Sequence, residues 1–191
     1  MTTARTYTMT ARARSVEQTR TRILDATTAL HFERLVADIS LDDVAARAGV
    51  SVQTVLRHFG SRADLVEAAF DHATEAVAEE RRTPVGDVEG AVRVIVDHYE
   101  ARGDGVLVLL AQEHTEDLAR RVTHRGRTMH RAWVEEVFAP FLDRPDADEV
   151  TDLLVVATDV YAWKLLRRDR GLSRGSTEAR ITRLVSNVLA G

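Results

Sequence analysis

The sequence predicts an all-α fold of about nine helices, and three observations carry that prediction. Helix breakers are sparse: no Gly or Pro stands between Ser15 and Ala48 or between Ser61 and Thr83, and the 191 residues include only 10 Gly and 3 Pro. Apolar residues recur three and four apart, and no two neighbouring segments alternate with the period of a strand. Hydroxyl and carboxylate residues stand at capping positions ahead of the breaker-free stretches. At roughly 100–200 residues per domain, the chain is one large domain or two small ones. With 45% hydrophobic and 29% charged residues it can bury a core, which excludes wholesale disorder.

Residues 1–14 are polar, lack periodicity and read as a flexible basic arm with Arg5, Arg12 and Arg14. A first helix follows, with Val16, Ile23, Leu24, Thr27 and Leu30 at helical spacing. Ser40-Leu41-Asp42-Asp43 is a capping box that opens a short helix to Ala48, and Gly49 supplies its stop. Ser51 opens the next helix, which ends at Phe59-Gly60. A second capping box, Ser61-Arg62-Ala63-Asp64, starts a longer helix with the apolar stripe Leu65, Val66, Ala69, Phe70, Ala73 and Val77.

Thr83-Pro84-Val85-Gly86 reads as a loop. Val88, Val92, Ile95 and Tyr99 then lie on a helix ending at Gly103, followed by a short apolar helix from Val106 to about Glu113. The next helix, Glu116 to Phe138, turns Val122, Met129, Trp133 and Val137 inward. Pro140 and Pro145 bracket a loop, and helices from Ala147 to about Arg168 and from Ser176 to Ala190 complete the chain. Val106–Leu110 and Leu153–Val156 also fit short buried strands, but such strands would lack partners.

Composition removes several function classes. With no Cys there is no disulfide scaffold, thiolate metal site or Cys nucleophile. No apolar run approaches the ~18 residues of a membrane span, and the first fifteen residues have no apolar segment of a secretory signal. A soluble, cytoplasmic protein with no membrane partner is the expectation. Net charge is −4, divided as +3 through Arg62 and −7 over the remainder. That asymmetry suggests an anion-facing module joined to a body that faces something else.

The informative segment is Leu41–Phe59, LDDVAARAGVSVQTVLRHF. Two short helices meet at Ala48-Gly49-Val50-Ser51, a turn that forces a steep crossing. Ala45 lets them approach, and Val44, Val50 and Val55 supply the shared apolar wedge. This is the helix-turn-helix layout, whose second helix lies in a major groove with its N-terminal residues at base edges. The plainer reading of the same residues is a helical hairpin with no role on DNA.

The surrounding residues add to it. Arg20-Thr21-Arg22-Ile23-Leu24-Asp25-Ala26, Ser40, Val44-Ala45, Ala48-Gly49-Val50-Ser51, Thr54, Arg57-His58-Phe59, Ser61-Arg62 and Leu65 together resemble the TetR family of bacterial transcriptional repressors. The resemblance covers about residues 16–70; beyond residue 80 only the number and order of helices match. Three positions depart from the family pattern: Leu35 stands where Gly is usual, Leu56 where Tyr is usual, and Arg62 where Lys is usual. The Leu56 departure removes a hydroxyl contact to phosphate, whereas Arg62 keeps the charge. The resemblance implies a DNA-binding domain over residues 15–77 and an effector-binding and dimerisation domain over 78–191. It also implies a palindromic double-stranded operator and a small-molecule effector that alters the spacing of two reading heads.

Chemistry assigns roles within that frame. Gln53 can bond adenine in bidentate fashion, and Thr54 and Val52 can offer apolar contact to a thymine methyl. Arg20, Arg57 and Arg62 suit phosphates, and Ser40 and Ser51 offer hydroxyls at capped helix starts. His58 can donate to a phosphate or pack between helices. Arg5, Arg12 and Arg14 can enter a minor groove or form a solvated tail.

In the body, His98, Tyr99, His114, Met129, Trp133, Asp159 and Tyr161 are the candidates for an effector site, the aromatics as walls and the polar groups as orienting partners of an apolar or aromatic molecule. The same aromatics can serve as plain core. For the homodimer, Val150, Leu154, Ala157 and Tyr161 mark one apolar face and Val155, Ala162 and Leu166 another, with Ile181, Leu184, Val185 and Val188 on the last helix. No metal, cofactor or catalytic set is expected. His124 and His130 lie six apart and share no helix face, no HExxH or GxSxG motif occurs, and the Glu113-His114-Thr115-Glu116-Asp117 cluster reads as helix caps. The alternative function is a small-molecule-binding helical dimer without operator binding.

Overall fold

The structure, a computed structural model, describes residues 3–191, with side chains from Ala13 onward. Met1, Thr2 and the side chains of Arg5 and Arg12 lie outside the described residues. Among the described residues there is no strand. The helices are α1 (Thr3–Glu33), α2 (Leu41–Ala48), α3 (Val52–Phe59), α4 (Arg62–Glu80), α5 (Val88–Leu110), α6 (Asp117–Val137), α7 (Ala147–Ala157), α8 (Val160–Lys164) and α9 (Arg174–Ala190), with 3-10 turns at Val36–Asp38 and Ala139–Phe141. A π-helical turn, Leu165–Asp169, continues α8. The chain divides into two compact units, Met1–Glu75 and Ala76–Gly191.

In the first unit the core is Ile23, Leu24, Leu30, Val44, Ala45, Val55, Leu65 and Ala69 from the inner faces of α1 to α4, with Ile39 from the link before α2. Its apolar stripe on α1 starts at Ile23; Val16, placed on that stripe from spacing, is exposed. Because α1 begins at Thr3, residues 3–14 are helical backbone and not the irregular arm their composition suggested. They contain no breaker, and extending a helix already nucleated gains one hydrogen bond for each residue fixed. The predicted capping box of Ser40 with Asp43 forms in full, whereas at Ser61 only half of the second one forms. The Asp64 N–H donates to Ser61 Oγ at 3.1 Å and that hydroxyl to the Asp64 carboxylate at 2.7 Å, but the Ser61 N–H donates to the Phe59 carbonyl instead.

In the second unit Ile95, Val96, Val134, Phe138, Leu154, Trp163, Ile181 and Val185 form the centre of the core. Both segments that also fitted strands are helical. Two helix boundaries differ from the sequence reading, each for a visible reason. The helix expected to stop at Gly103 continues unbroken to Leu110. Gly103 is buried against the ring of Trp163, so its missing side chain serves packing and not termination. Conversely, the helix expected to run from Ala147 to about Arg168 breaks at Thr158-Asp159. There the Thr158 hydroxyl donates to the Leu154 carbonyl at 2.7 Å, and the extended Asp159 caps α8 by accepting from the Tyr161 N–H at 2.8 Å. Thr and Asp compete for backbone groups in this way and favour caps over helix interiors.

That break reassigns the apolar faces. Val150, Leu154 and Ala157 are core, whereas Tyr161 is half exposed because α8 buries Val160 and Trp163 instead. Val155 and Leu166, expected on a second face, pack against the same monomer core. On the last helix Ile181 and Val185 are buried, and only Leu184 of the expected set is strongly exposed. The large apolar side chains left exposed on these helices are Leu153, Val156, Leu165 and Leu184. The final helix begins at Arg174, capped by Ser173, two residues before the predicted start.

Candidate functional site

In the first unit a short chain reversal presents α3. The Ser40 hydroxyl lies 2.5 Å from Asp43 Oδ2, the Ser40 N–H donates to the same carboxylate at 2.9 Å, and the Asp43 N–H donates back to Ser40 Oγ at 3.2 Å. These bonds, the hydroxyl's first, hold the Asp43 carboxyl below the usual carboxylate range. Gly49, at φ +66°, takes the left-handed conformation that ends α2. Ser51 restarts the chain two residues later, its Oγ accepting from the Thr54 N–H at 3.1 Å. Fully buried Val55 anchors α3 to the core, which fixes the direction in which the opposite side of the helix points.

On that outer side Gln53 and Arg57 are exposed, and Val52, Thr54 and His58 are half-buried. The Gln53 amide has no hydrogen-bond partner among the described residues. Thr54 Oγ1 is 2.9 Å from Ser51 Oγ, so its hydroxyl is engaged in the cap and its methyl is the group left to present. Leu56 stands exposed on the same short helix. The half-buried His58 ring lies 6.1 Å from that of its chain neighbour Phe59.

The arginines are positioned differently from one another. The Arg20 guanidinium of α1 lies over the Phe59 ring at 5.3 Å, joining α1 to the end of α3 by a cation–π contact. Arg62 Nη2 donates to the carbonyls of Val36 at 3.3 Å and Ile39 at 3.0 Å, clasping the 3-10 turn that leads into Ser40. Arg47, not singled out from sequence, makes two bonds to the Glu33 carboxylate at 2.6 and 2.8 Å and ties α2 to α1. The arrangement is a rigidly capped short helix whose exposed polar residues are held by buried neighbours.

The second unit brings some of the seven effector candidates together. His98, Tyr99 and Trp133 are buried, and Met129 and Asp159 are half-buried. Tyr99 OH donates to the Thr158 carbonyl at 3.1 Å, and burial pushes its pKa upward. Trp133 Nε1 donates to the Arg81 carbonyl at 3.0 Å. His98 Nδ1 lies 3.2 Å from a Glu80 carboxylate that Arg102 also engages, and burial, with the Arg81 charge next, keeps this imidazole neutral. Two candidates are turned out to solvent. His114 is almost fully exposed in the turn after α5, beside Glu113, and Tyr161 is turned out by the break before α8.

Three buried polar residues of this unit were missed from sequence. Arg81 lies within the run Glu79-Glu80-Arg81-Arg82, which reads as a solvated charged face, yet it is only 6% exposed and lies 5.7 Å over the Tyr99 ring. His130 was weighed only for metal spacing; it stacks on Trp133 at 5.7 Å between ring centres. Thr158, with no motif around it, accepts and donates at the helix break.

An all-α chain that presents a capped helix across a glycine turn in this way is a helix-turn-helix protein. Residues 23–69 match the domain described as bacterial regulatory proteins, tetR family. The HTH-type transcriptional repressor Rv3405c of Mycobacterium tuberculosis is 45% identical over 56 residues, 29% of this chain and 30% of the relative. The chain thus matches less than a third of the length of the curated relatives it resembles. Two solved structures share the fold: SCO4454, a TetR-family transcriptional regulator from Streptomyces coelicolor, with TM-score 0.69 at 24% identity over 91% of this chain and 95% of that one, and a transcriptional regulator from Rhodococcus sp. Rha1, with TM-score 0.68 at 18% identity over 90% and 96%. Residues 23–69 are thus similar to the tetR-family domain, and the chain as a whole shares the fold of these two regulators.

Proposed function

We propose that the protein is a DNA-binding transcriptional regulator, a cytoplasmic repressor that occupies a palindromic operator as a homodimer and leaves it when a small apolar or aromatic effector binds its second unit. The observation that carries this reading is the first turn of α3, where Gln53 is exposed with its amide unengaged, between Val52 and the methyl of Thr54. An amide can take adenine N6 and N7 together, and its apolar neighbours suit a thymine methyl. Arg57 and the capped start of α2 at Ser40 suit flanking phosphates. The family match spans all of these residues, and one relative is named a repressor. Tyr99 and Trp133 in the second unit offer the walls of an effector site. No helix among the described residues is long and apolar enough to cross a membrane.

One observation favours a second reading, a small-molecule-binding helical dimer without operator binding. Leu56 is exposed on α3 and supplies no hydroxyl for a phosphate. A gel-shift assay on the DNA flanking the protein's own gene separates the two. The repressor reading requires a retarded complex that survives excess unrelated duplex; the second reading requires no such complex at any protein concentration that leaves the fold intact.

A further inference from the structure

We propose that the effector is an organic acid, a small carboxylate that also carries a hydroxyl or other hydrogen-bond donor, received inside the second unit by Arg81 and His130. This inference rests on the effector reading above and names the chemistry of its ligand. Arg81 is 6% exposed, and its Nε and Nη1 are buried with no hydrogen-bond partner. A guanidinium keeps its charge in proteins, so these are desolvated cationic donors.

The neighbouring carboxylates do not answer it. Glu80 is occupied by Arg102 and His98. Asp159 caps α8 through the Tyr161 N–H and makes no ion pair with Arg81. The Tyr99 ring covers one face of the guanidinium, and the Tyr99 hydroxyl and the Glu80 and Asp159 charges lie near it, yet none of them bonds Nε or Nη1. Leaving a buried charge unpaired costs several kcal/mol, far more than a structural arginine needs to cost. A buried group left in that state calls for an explanation, and an incoming anion supplies one here.

His130 is the complementary defect. Its Nε2 faces Thr158 Oγ1 at 3.2 Å and the Val155 carbonyl at 3.4 Å. The Thr158 hydroxyl proton is committed to the Leu154 carbonyl, so both of those oxygens accept and Nε2 carries the imidazole proton. Nδ1 is therefore a buried lone pair, and no donor reaches it. Trp133 links the two residues: its ring stacks on His130 and its Nε1–H holds the Arg81 carbonyl.

A ligand that satisfies both defects must bring a negative charge and a donor together. A carboxylate matches a guanidinium in charge and planarity. One guanidinium balances one negative charge, which favours a carboxylate over a phosphate dianion. The Tyr99 and Trp133 rings suit an aromatic or short aliphatic frame.

The test uses thermal unfolding and Trp fluorescence of the full chain with a panel of small carboxylic acids, aromatic and aliphatic, with and without a hydroxyl, beside the amide of each. Acids should raise the unfolding temperature and quench fluorescence, and their amides should bind at least about tenfold more weakly, the loss of one charge-assisted contact. Arg81→Met should abolish the response to acids and unfold at a higher temperature than the parent without ligand, because the unpaired charge is gone. His130→Leu should reduce the hydroxylated acids to the level of the plain ones. Amides that bind as well as acids would overturn the anion assignment and leave the effector reading standing. A panel in which neither acids nor amides bind would overturn both. An Arg81→Met chain that unfolds below the parent would show the arginine to be structural and overturn the inference by itself.

Discussion

Trp163 occupies the space a side chain would need at Gly103: a β-carbon there would come within 2.5 Å of Trp163 Cζ3. The indole cannot easily yield. It is fully buried, its Nε1 donates to Glu100 at 2.9 Å, and the Arg168 guanidinium lies over it at 4.4 Å. Gly103→Ala gains about 1 kcal/mol of helix propensity but overpacks the core at a cost of about 1–3 kcal/mol. The variant should be less stable by about 1 kcal/mol in urea unfolding. A stabilised variant would show that α5 and the indole separate readily.

Arg62 and Arg57 should separate folding from DNA binding. Arg62 bonds two carbonyls of the turn before α2, so Arg62→Ala should cost roughly 1 kcal/mol of stability as well as weakening all duplexes alike. Exposed Arg57 has no such duty, and Arg57→Ala should leave stability unchanged while lowering the salt dependence of binding by about one unit of slope. Unfolding curves and binding titrations over a salt series check both. Equal stability of the two variants would remove Arg62 from the structural role.

Acid should weaken the second unit through its buried imidazoles. Burial lowers the pKa of His130 from 6.5 to about 4 and lowers that of His98 in the same direction. A depressed pKa means that the folded state holds fewer protons than the unfolded one in this window. The contribution to stability is therefore complete above pH 6.5 and is lost as pH falls towards 4. Each imidazole adds a slope of up to about 1.4 kcal/mol per pH unit. Urea midpoints should fall steadily across this range, and His130→Asn should flatten the fall by up to one proton's worth. An unchanged slope in that variant would mean that His130 titrates freely.

The dimer should depend on the apolar side chains that the monomer leaves exposed, Leu153, Val156, Leu165 and Leu184. Sedimentation of the parent should give twice the 21.3 kDa chain mass. Val156→Glu and Leu184→Glu should each shift it towards the monomer, because a buried unpaired carboxylate at an interface costs several kcal/mol. A parent that sediments as a monomer at micromolar concentration would reject the homodimer.

The first unit was more legible in the sequence than the second. Its caps and stops, Ser40 with Asp43, Gly49, and Ser61 with Asp64, are short-range devices whose chemistry is complete within four residues. The second unit turns on long-range packing. Nothing near Gly103 announces that Trp163 will lie on it, so a glycine read as a stop proved to be a packing site. The break at Thr158-Asp159 was hidden inside an apolar run, and missing it sent Tyr161 to the wrong side of its helix. Arg81 was concealed for the opposite reason. A charged run at a helix end is usually solvated, and only the fold shows that one member of it is buried.

The most direct test of the account is selection of binding sites from random duplex DNA, performed with the parent and with Gln53→Ala. The parent should enrich a palindrome with an adenine preferred at one position of each half-site. Gln53→Ala should lose about 1–3 kcal/mol on that sequence and relax the choice at that position alone. No enriched sequence with the parent, or the same preference with and without the amide, would contradict the assignment of α3 as the helix that reads DNA.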